Sequence, residues 1–157
     1  MPLLCLGGIA VFYGGCGTGK TRMSYELAKL ITPRLSTHGG ISRDSPCIYT
    51  TAAKMLESCR QSYGTEGDRP SERTTMEAYE DASLVVIDEI DNCCATDHAQ
   101  RKLKQVVDER YQRMLPTILI SNFDKQALAR LLPAPVIDRI REVGKGFHFD
   151  WPSYRGK

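Results

Sequence analysis

A run of glycines near the start of the chain has the residue types and the spacing that bind phosphate. Residues 14–21 read GGCGTGKT, which completes the pattern G-x-x-x-x-G-K-[ST]. Glycines let the backbone approach an anion closely, and N–H groups at the start of a helix point at one spot with roughly half a positive charge behind them. The lysine of this pattern reaches the terminal phosphates of a nucleoside triphosphate, and its last hydroxyl binds Mg²⁺. The sequence therefore predicts a site for a nucleoside triphosphate and Mg²⁺.

Each residue of this phosphate loop is a candidate contact. Lys20 is expected at the β- and γ-phosphates, and Thr21 is expected to bind Mg²⁺. Backbone contacts to the phosphates are expected at the other six positions, Gly14, Gly15, Cys16, Gly17, Thr18 and Gly19. Positive backbone φ angles are expected at the glycines of the loop, because only glycine adopts them without steric cost.

The segments on either side of the loop predict the elements that must hold it. Residues 8–13 are mostly apolar and predict a strand, while Met23, Leu27, Leu30 and Ile31 recur on one face of a predicted helix. A chance match to the pattern would not require a strand before the loop and a helix after it. This context favours a true nucleotide site over a chance match.

A phosphate loop needs a partner that holds the metal and a group that activates water. Residues 84–89 read LVVIDE, an apolar run followed by two acids. Because the run is apolar throughout, we expect this strand in the middle of the sheet. Ligands bind at the carboxyl ends of strands in open α/β sheets. We therefore expect Asp88 to hold the Mg²⁺ shell and Glu89 to polarise the attacking water. Taken alone, such an acid pair would be interpreted as a helix N-cap or a solvated turn.

A further buried strand is predicted where residues 117–122 read TILISN. Asn122, at its end, is expected to contact the γ-phosphate or to orient water, and its alternative role is to cap the next helix. Strands and helices alternate along the whole chain. This order predicts an α/β fold with a parallel sheet.

Length and composition limit the classes of protein. The 157 residues fit one domain, 1–157, and the net charge of +2 neither indicates nor excludes a nucleic-acid partner. No apolar run approaches the ~20 residues that span a bilayer, and the N-terminus lacks the basic start of a signal peptide. The six cysteines show no C-x-x-C spacing, which is typical of reduced thiols. We therefore expect a cytoplasmic protein with no membrane partner.

The motifs together resemble one family. GGCGTGKT, LVVIDEI, ILISN, VIDRIRE and FDWPSYR are similar to the AAA+ ATPases of the DnaC/IstB type, the helicase loaders of bacteria and phages, over nearly the whole chain. The resemblance implies a P-loop fold with three αβα layers, a central parallel sheet and little or no C-terminal lid. It also implies hydrolysis of ATP to ADP and phosphate. The domain with which these loaders bind the helicase is expected to be absent, leaving the ATPase domain alone.

The resemblance also implies roles for two arginines. Arg139 falls on the arginine finger of the family, which reaches the ATP of a neighbouring subunit, so the ATPase site would be completed between subunits. The alternative for Arg139 is a surface ion pair with Asp138 or Glu142. Arg155, in the Ser-Tyr-Arg ending, is a candidate for a nucleotide or intersubunit contact.

The partners implied by the resemblance are a replicative helicase, single-stranded DNA and further copies of the chain that assemble on ATP binding. Basic and aromatic residues suited to DNA follow the second predicted strand, namely Lys54, Arg60, Tyr63 and, in the loop beyond, Arg69 and Arg73. Their alternative is a solvated surface. The basic residues of the long helix predicted over 97–114, among them Arg110, are expected to be solvated or to face another subunit.

Three other functions stay open on the sequence. A transposition helper ATPase of the IstB type would share the fold and differ in its partner. A small-molecule phosphotransferase would need an acceptor pocket and an arginine-rich lid over the phosphates, and no such lid stands out. An ATP-binding module without useful catalysis would bind the nucleotide and hydrolyse it very slowly.

Overall fold

The computed structural model describes residues 2–35, 47–61, 71–92 and 96–155. Within these ranges five strands, β1 (Ile9–Gly14), β2 (Cys47–Thr51), β3 (Leu84–Asp88), β4 (Thr117–Ile120) and β5 (Gly144–Phe149), form one parallel sheet in the order β2-β3-β4-β1-β5. The helices of the same ranges are α1 (Pro2–Cys5), α2 (Lys20–Leu35), α3 (Ala52–Gln61), α4 (Glu72–Asp81), α5 (Asp97–Gln112), α6 (Lys125–Leu131) and α7 (Ala134–Val143). A 3₁₀ turn, Ile90–Asn92, follows β3. None of these helices combines the length and the apolar content needed to cross a bilayer.

Helices cover both faces of the sheet because the strands are apolar on both sides. β1 places Ile9 and Val11 in one buried cluster and Ala10 and Phe12 in the other. Helices α3, α4, α5, α6 and α7 contribute to the first cluster, and α1 and α2 contribute to the second. All residues of β3 are buried, as expected for an inner strand of a parallel sheet. The predicted three-layer fold with a parallel sheet is confirmed.

The apolar face predicted for helix α2 is partly wrong. Leu27 and Ile31 are buried, but Met23 and Leu30 are 45% and 61% exposed. The buried stripe of the helix runs through Ser24, which is fully buried and donates a hydrogen bond from Oγ to the Thr21 carbonyl at 2.8 Å. Because this small polar residue lies on the buried side, a prediction from apolar residues alone places the buried face of the helix incorrectly.

Arg110 contradicts the expectation that the basic residues of the long helix are solvated. It lies on the same face of α5 as Leu103 and is fully buried. Its guanidinium donates to the carbonyls of Ala82 at 2.7 Å and Pro116 at 2.6 Å. Further bonds go to the Tyr79 carbonyl at 2.9 Å and Thr117 Oγ1 at 3.0 Å. Arg110 thus ties α5 to the segments that lead into β3 and β4.

The parallel register brings several polar strand ends to one edge of the sheet. Phe12 pairs with Ile120, Ile87 with Leu119, and Thr51 with Asp88. The phosphate loop follows β1, the acid pair ends β3, and Asn122 follows β4. This common edge positions the candidate site.

Candidate active site

The phosphate loop lines a cleft of about 1020 Å³ at the carboxyl edge of the sheet. The cleft brings together most of the residues that the sequence predicted for the site, Cys16, Gly17, Thr18, Gly19, Lys20, Thr21, Asp88, Glu89, Asn122 and Arg155. Aromatic residues that were not predicted as contacts complete its walls, Tyr25, Tyr49, Phe149, Trp151 and Tyr154.

The loop has the backbone conformation of an anion-binding turn, with one correction. Gly14, Gly17 and Gly19 have φ angles of 131°, 74° and 90°, as predicted. Gly15 does not adopt a positive φ, and a Cβ there would meet nothing within 4 Å, so the expectation for Gly15 is wrong. At Gly17 a Cβ would collide with Ser153 Oγ. Glycine is therefore required at position 17 both by the backbone angle and by the nearby Ser153 side chain.

The Lys20 ammonium lies at the centre of the loop. Lys20 is 4% exposed, and its Nζ donates to the carbonyls of Gly14 and Gly15, at 2.7 Å each. Burial lowers the pKa of Lys20, while the nearby Cys16, Asp88 and Asp91 raise it. Anionic phosphate oxygens beside this group would favour its charged form. The position of Lys20 suits the phosphate contact that was predicted for it.

Asp88 and Thr21, the two predicted metal residues, are in direct contact. The Thr21 hydroxyl donates to Asp88 Oδ2 at 2.7 Å, and the Glu89 N–H donates to Asp88 Oδ1 at 2.7 Å. Asp88 is 5% exposed, and these two bonds hold its carboxylate in one orientation. A hydroxyl and a carboxylate are the hard oxygen ligands that Mg²⁺ prefers, so the donor set fits the ion.

Tyr49 is a site residue that sequence reasoning missed. Its hydroxyl donates to Asp88 Oδ2 at 2.6 Å, beside the bond from Thr21. Burial and the hydrogen bond to Asp88 raise the pKa of Tyr49, so the hydroxyl stays protonated and remains a donor. A tyrosine in a short strand gives no sequence signal for this role, because its partner lies on another strand.

We expect Tyr49→Phe to weaken the Mg²⁺-dependent part of ATP binding. The variant removes one donor from Asp88 and leaves the phosphate loop intact. A hydrogen bond to a charged group contributes roughly 1.5–3 kcal/mol, and partial exposure reduces this, so the Mg²⁺ concentration for half-saturation should rise about threefold to tenfold. Titration of Mg²⁺ at fixed ATP, followed by Trp151 fluorescence, measures this. An equal loss of ATP affinity without Mg²⁺ would contradict a role specific to the metal subsite.

Glu89 has an unusual backbone conformation. Its φ is 54°, in the left-handed region that non-glycine residues rarely occupy, at a cost of about 1–3 kcal/mol. Two contacts hold it there: its N–H donates to Asp88 Oδ1, and its carbonyl accepts from Asn92 N at 3.1 Å. The fully buried Ile90 anchors the turn that follows. The turn leaves the Glu89 side chain exposed in the cleft.

Asn122 lines the cleft, and its alternative role as a helix cap is wrong. Asp124 caps α6, because its Oδ1 accepts from Gln126 N at 2.9 Å and Ala127 N at 2.8 Å. Asn122 is held instead by Asp91, whose Oδ1 accepts from its backbone N–H at 2.9 Å and whose Oδ2 lies 3.4 Å from its Nδ2. Asp91 is a second residue that the sequence did not indicate. A contact of Asn122 with the γ-phosphate stays a prediction.

The segment after β5, residues 150–155, crosses the phosphate loop, and we call it the C-terminal strap. Trp151 Nε1 donates to the Thr18 carbonyl at 2.9 Å, and the Tyr154 N–H donates to the Gly17 carbonyl at 2.9 Å. Arg155, at its end, lines the cleft, and its contact with the nucleotide or with another subunit stays a prediction. Trp151 is the single tryptophan of the sequence, so its fluorescence can report on the cleft.

This site matches a known family. The model of the ATPase family associated with various cellular activities (AAA) matches residues 10–144. The chain belongs to the AAA family. The family assignment confirms the resemblance found in the sequence and accounts for the P-loop fold.

Two curated relatives of this AAA protein come from Escherichia coli K12. The chain is 26% identical to the replicative helicase loader DnaC over 149 residues, 94% of this chain and 56% of DnaC. It is 30% identical to the uncharacterized protein YdaV over 145 residues, 92% of this chain and 54% of YdaV. The chain thus spans about half the length of the curated relatives it matches.

Two solved structures share the fold. The DnaC helicase loader superposes with a TM-score of 0.66 and 17% identity, over 91% of this chain and 78% of that one. AMPPCP-bound DnaA from Aquifex aeolicus superposes with a TM-score of 0.68 and 18% identity, over 93% and 42% of the two chains. At these identities the likeness concerns the fold alone.

Arg139 of the AAA protein lies on α7 and does not line the cleft of its own chain. Its Nη1 is 3.7 Å from Glu142 Oε2, so one of the two predicted surface pairings is present in loose form. The other pairing is wrong, because Asp138 pairs with Arg141 at 3.5 Å. The role of Arg139 as an arginine finger concerns a neighbouring subunit and stays a prediction.

The candidate DNA contacts are only partly within the described residues. Lys54 and Arg60 are exposed on α3, as expected. Arg73 was expected in a loop but lies in the first turn of α4, where its Nε pairs with Glu77 at 2.7 Å. Tyr63 and Arg69 lie outside the residues that the structure describes.

Proposed function

We propose that this AAA protein is an ATP-driven switch in DNA replication that helps load a replicative helicase. Its ATPase site would be completed by Arg139 of a neighbouring subunit. The observation that carries the proposal is the division of the catalytic set. Lys20, Thr21, Asp88 and Glu89 share one cleft, whereas Arg139 lies away from it on α7.

The cleft residues suit hydrolysis of ATP by water. Backbone N–H groups of the phosphate loop and the Lys20 ammonium would bind the phosphates. Thr21 and Asp88 would hold Mg²⁺, which supplies positive charge beside the β- and γ-phosphates. Glu89 would accept the proton of the attacking water, and Asn122 would orient that water or contact the γ-phosphate. Arg139 would stabilise the charge on the transferring group, since a guanidinium stays charged and offers several donors in one plane.

The proposed partners are argued from similarity and from exposed charge. The relation to the replicative helicase loader DnaC supports a helicase partner, although the chain spans about half of DnaC. Exposed Lys54 and Arg60 on α3 are the proposed contacts to single-stranded DNA. A finger contributed by a neighbour requires a homo-oligomer that forms when ATP binds.

Mixing two inactive variants tests the shared site. Lys20→Ala subunits lack a working phosphate loop and keep Arg139, and Arg139→Ala subunits have the opposite defect. Each variant alone should lose at least about 100-fold in ATPase rate, since arginine fingers contribute about 10³–10⁵ in other NTPases. An equal mixture should recover about a quarter of the wild-type rate, because random head-to-tail pairing joins an intact loop to an intact finger at about one interface in four.

Two controls make the mixing experiment decisive. Arg141→Ala removes an arginine from the same helix that is 76% exposed and pairs only loosely with Asp138, so it should keep the wild-type rate. Analytical ultracentrifugation of labelled subunits shows whether the two variants enter one oligomer. No recovery in oligomers that contain both variants would refute a site shared between subunits.

A further inference from the structure

The Arg139 guanidinium rests on an aromatic ring. Its Cζ is 4.3 Å from the centroid of Tyr111, near the end of α5. Its Nε is 3.5 Å from Asp108 Oδ1, and its Nη1 is 3.7 Å from Glu142 Oε2. Both distances are longer than the roughly 2.7–3.2 Å of a protein hydrogen bond. The guanidinium therefore lies over the ring, and neither carboxylate holds it by a short hydrogen bond.

The two carboxylates beside Arg139 have shorter bonds to other groups. Lys104 Nζ donates to Asp108 Oδ2 at 2.6 Å, and the Tyr111 hydroxyl donates to Glu142 Oε1 at 2.7 Å. Arg139 Nε is buried, yet it forms no hydrogen bond with any residue that the structure describes. The acids thus attract the guanidinium without engaging its donors in short bonds.

An aromatic ring orients a guanidinium in a way that an acid does not. Stacking fixes the plane of the group and leaves the N–H donors, which lie at its edge, available for another acceptor. A free arginine side chain would lose rotamer entropy when it docks onto a phosphate. A side chain already held by the ring loses less. Arg139 is 35% exposed, so a group on another molecule can reach it.

We infer that Tyr111 is a positioning residue for Arg139. The ring of Tyr111 holds the guanidinium in plane, and the hydroxyl, bonded to Glu142, fixes the ring. Tyr111 does not line the cleft and acts through Arg139 on the site of the neighbouring subunit. The inference rests on the proposed function, in which Arg139 reaches the ATP of that neighbour.

The mixing experiment locates the effect of Tyr111 in one subunit. Tyr111→Ala is placed either in the Lys20→Ala subunit, which supplies the finger, or in the Arg139→Ala subunit, which supplies the phosphate loop. In the finger subunit it should lower kcat of the mixture about tenfold, the scale of a cation–π contact, with KM for ATP unchanged. In the loop subunit the same substitution should leave the rate of the mixture unchanged.

Conservative variants separate positioning from folding. Tyr111→Phe in the finger subunit keeps the ring and should retain at least about half of the rate, since it loses only the bond to Glu142. Tyr111→Leu keeps apolar volume without the ring and should show the same tenfold loss as Tyr111→Ala. It also serves as the test if the alanine variant does not fold.

The outcomes distinguish the inference from the function on which it rests. An equal loss from Tyr111→Ala in either subunit means that the ring supports the local fold, which overturns the inference alone. No loss in the finger subunit overturns it as well. If the parent mixture without any Tyr111 substitution fails to recover activity, the shared site itself is wrong, and the inference falls with it.

Discussion

Replacing Glu89 with glutamine should lower the ATPase rate by roughly 10²–10⁴-fold, the contribution typical of a general base. The amide has nearly the same shape as the carboxylate but cannot accept a proton from the attacking water. Affinity for ATP should change less than about threefold, because the phosphates are bound by the loop and by Lys20. Phosphate release under saturating ATP measures the rate, and Trp151 fluorescence measures the affinity.

The structure makes this substitution a clean test. The backbone strain at Glu89 is held by Asp88 and by the following turn, so glutamine is expected to adopt the same position. Glu77→Gln is the matched control, since this acid lies on α4 and pairs with Arg73 away from the cleft. It should hydrolyse ATP at the wild-type rate. A wild-type rate for Glu89→Gln would refute the assignment of the base, and a parallel loss of affinity would assign Glu89 to binding.

The parts of the site that the sequence predicted depend on local geometry. The phosphate loop is one continuous segment, so the spacing of its residues already determines where Lys20 and Thr21 lie relative to each other. Asp88, Glu89 and Asn122 follow buried strands, and the carboxyl ends of parallel strands meet at one edge of the sheet. The rule for the fold class therefore also predicts the position of these residues.

The parts that escaped prediction are contacts between distant segments. The Tyr49–Asp88 bond joins residues 39 positions apart, the Asn122–Asp91 bond 31 positions, and the Trp151–Thr18 bond 133 positions. Such contacts depend on how strands and helices pack in space. The periodicity of residues along the chain carries no information about that packing.

Charge was also a poor guide to burial. Arg110 belongs to a helix rich in charged residues, and those residues suggested a solvated surface. Arg110 is nevertheless buried, because it lies on the inner face of the helix and several backbone carbonyls there replace the water bonds of its guanidinium. Burial lowers the pKa of the guanidinium to about 9, which leaves it charged at neutral pH.

Replacing Arg110 with methionine should lower the free energy of unfolding by about 3–5 kcal/mol. Methionine fills much of the same volume but removes the guanidinium donors from the carbonyls of Tyr79, Ala82 and Pro116, and each buried unsatisfied group costs roughly 1–3 kcal/mol. The Pro116 carbonyl keeps a longer bond from the Val85 N–H, at 3.4 Å. The variant has no guanidinium to bury, so the desolvation cost of the charged group is removed, which offsets part of this loss in stability. Urea unfolding measures the change, and the melting temperature should fall by about 10 °C.

A second arginine, at the C-cap of the same helix, provides the control. Arg113, three residues further on, is 43% exposed and pairs with Glu109 at 2.6 Å and with Asp81. Arg113→Met should cost less than about 1 kcal/mol, because surface ion pairs contribute little. Equal losses from the two methionine variants would mean that the buried carbonyl bonds add nothing beyond ordinary surface charge.

The effect of Arg110 on activity should be small while the protein is folded. Its carbonyl partners precede β3 and β4, whereas the catalytic residues follow these strands, about 15 Å away at the opposite edge of the sheet. Below the unfolding transition Arg110→Met should therefore hydrolyse ATP within about twofold of the wild-type rate. The stability of Arg110→Lys should lie between that of the wild type and that of Arg110→Met, since an ammonium has three donors without the planar fork. A large loss of kcat in the folded variant would show that the segments preceding β3 and β4 control the geometry of Asp88 and Glu89 at the far end of the sheet.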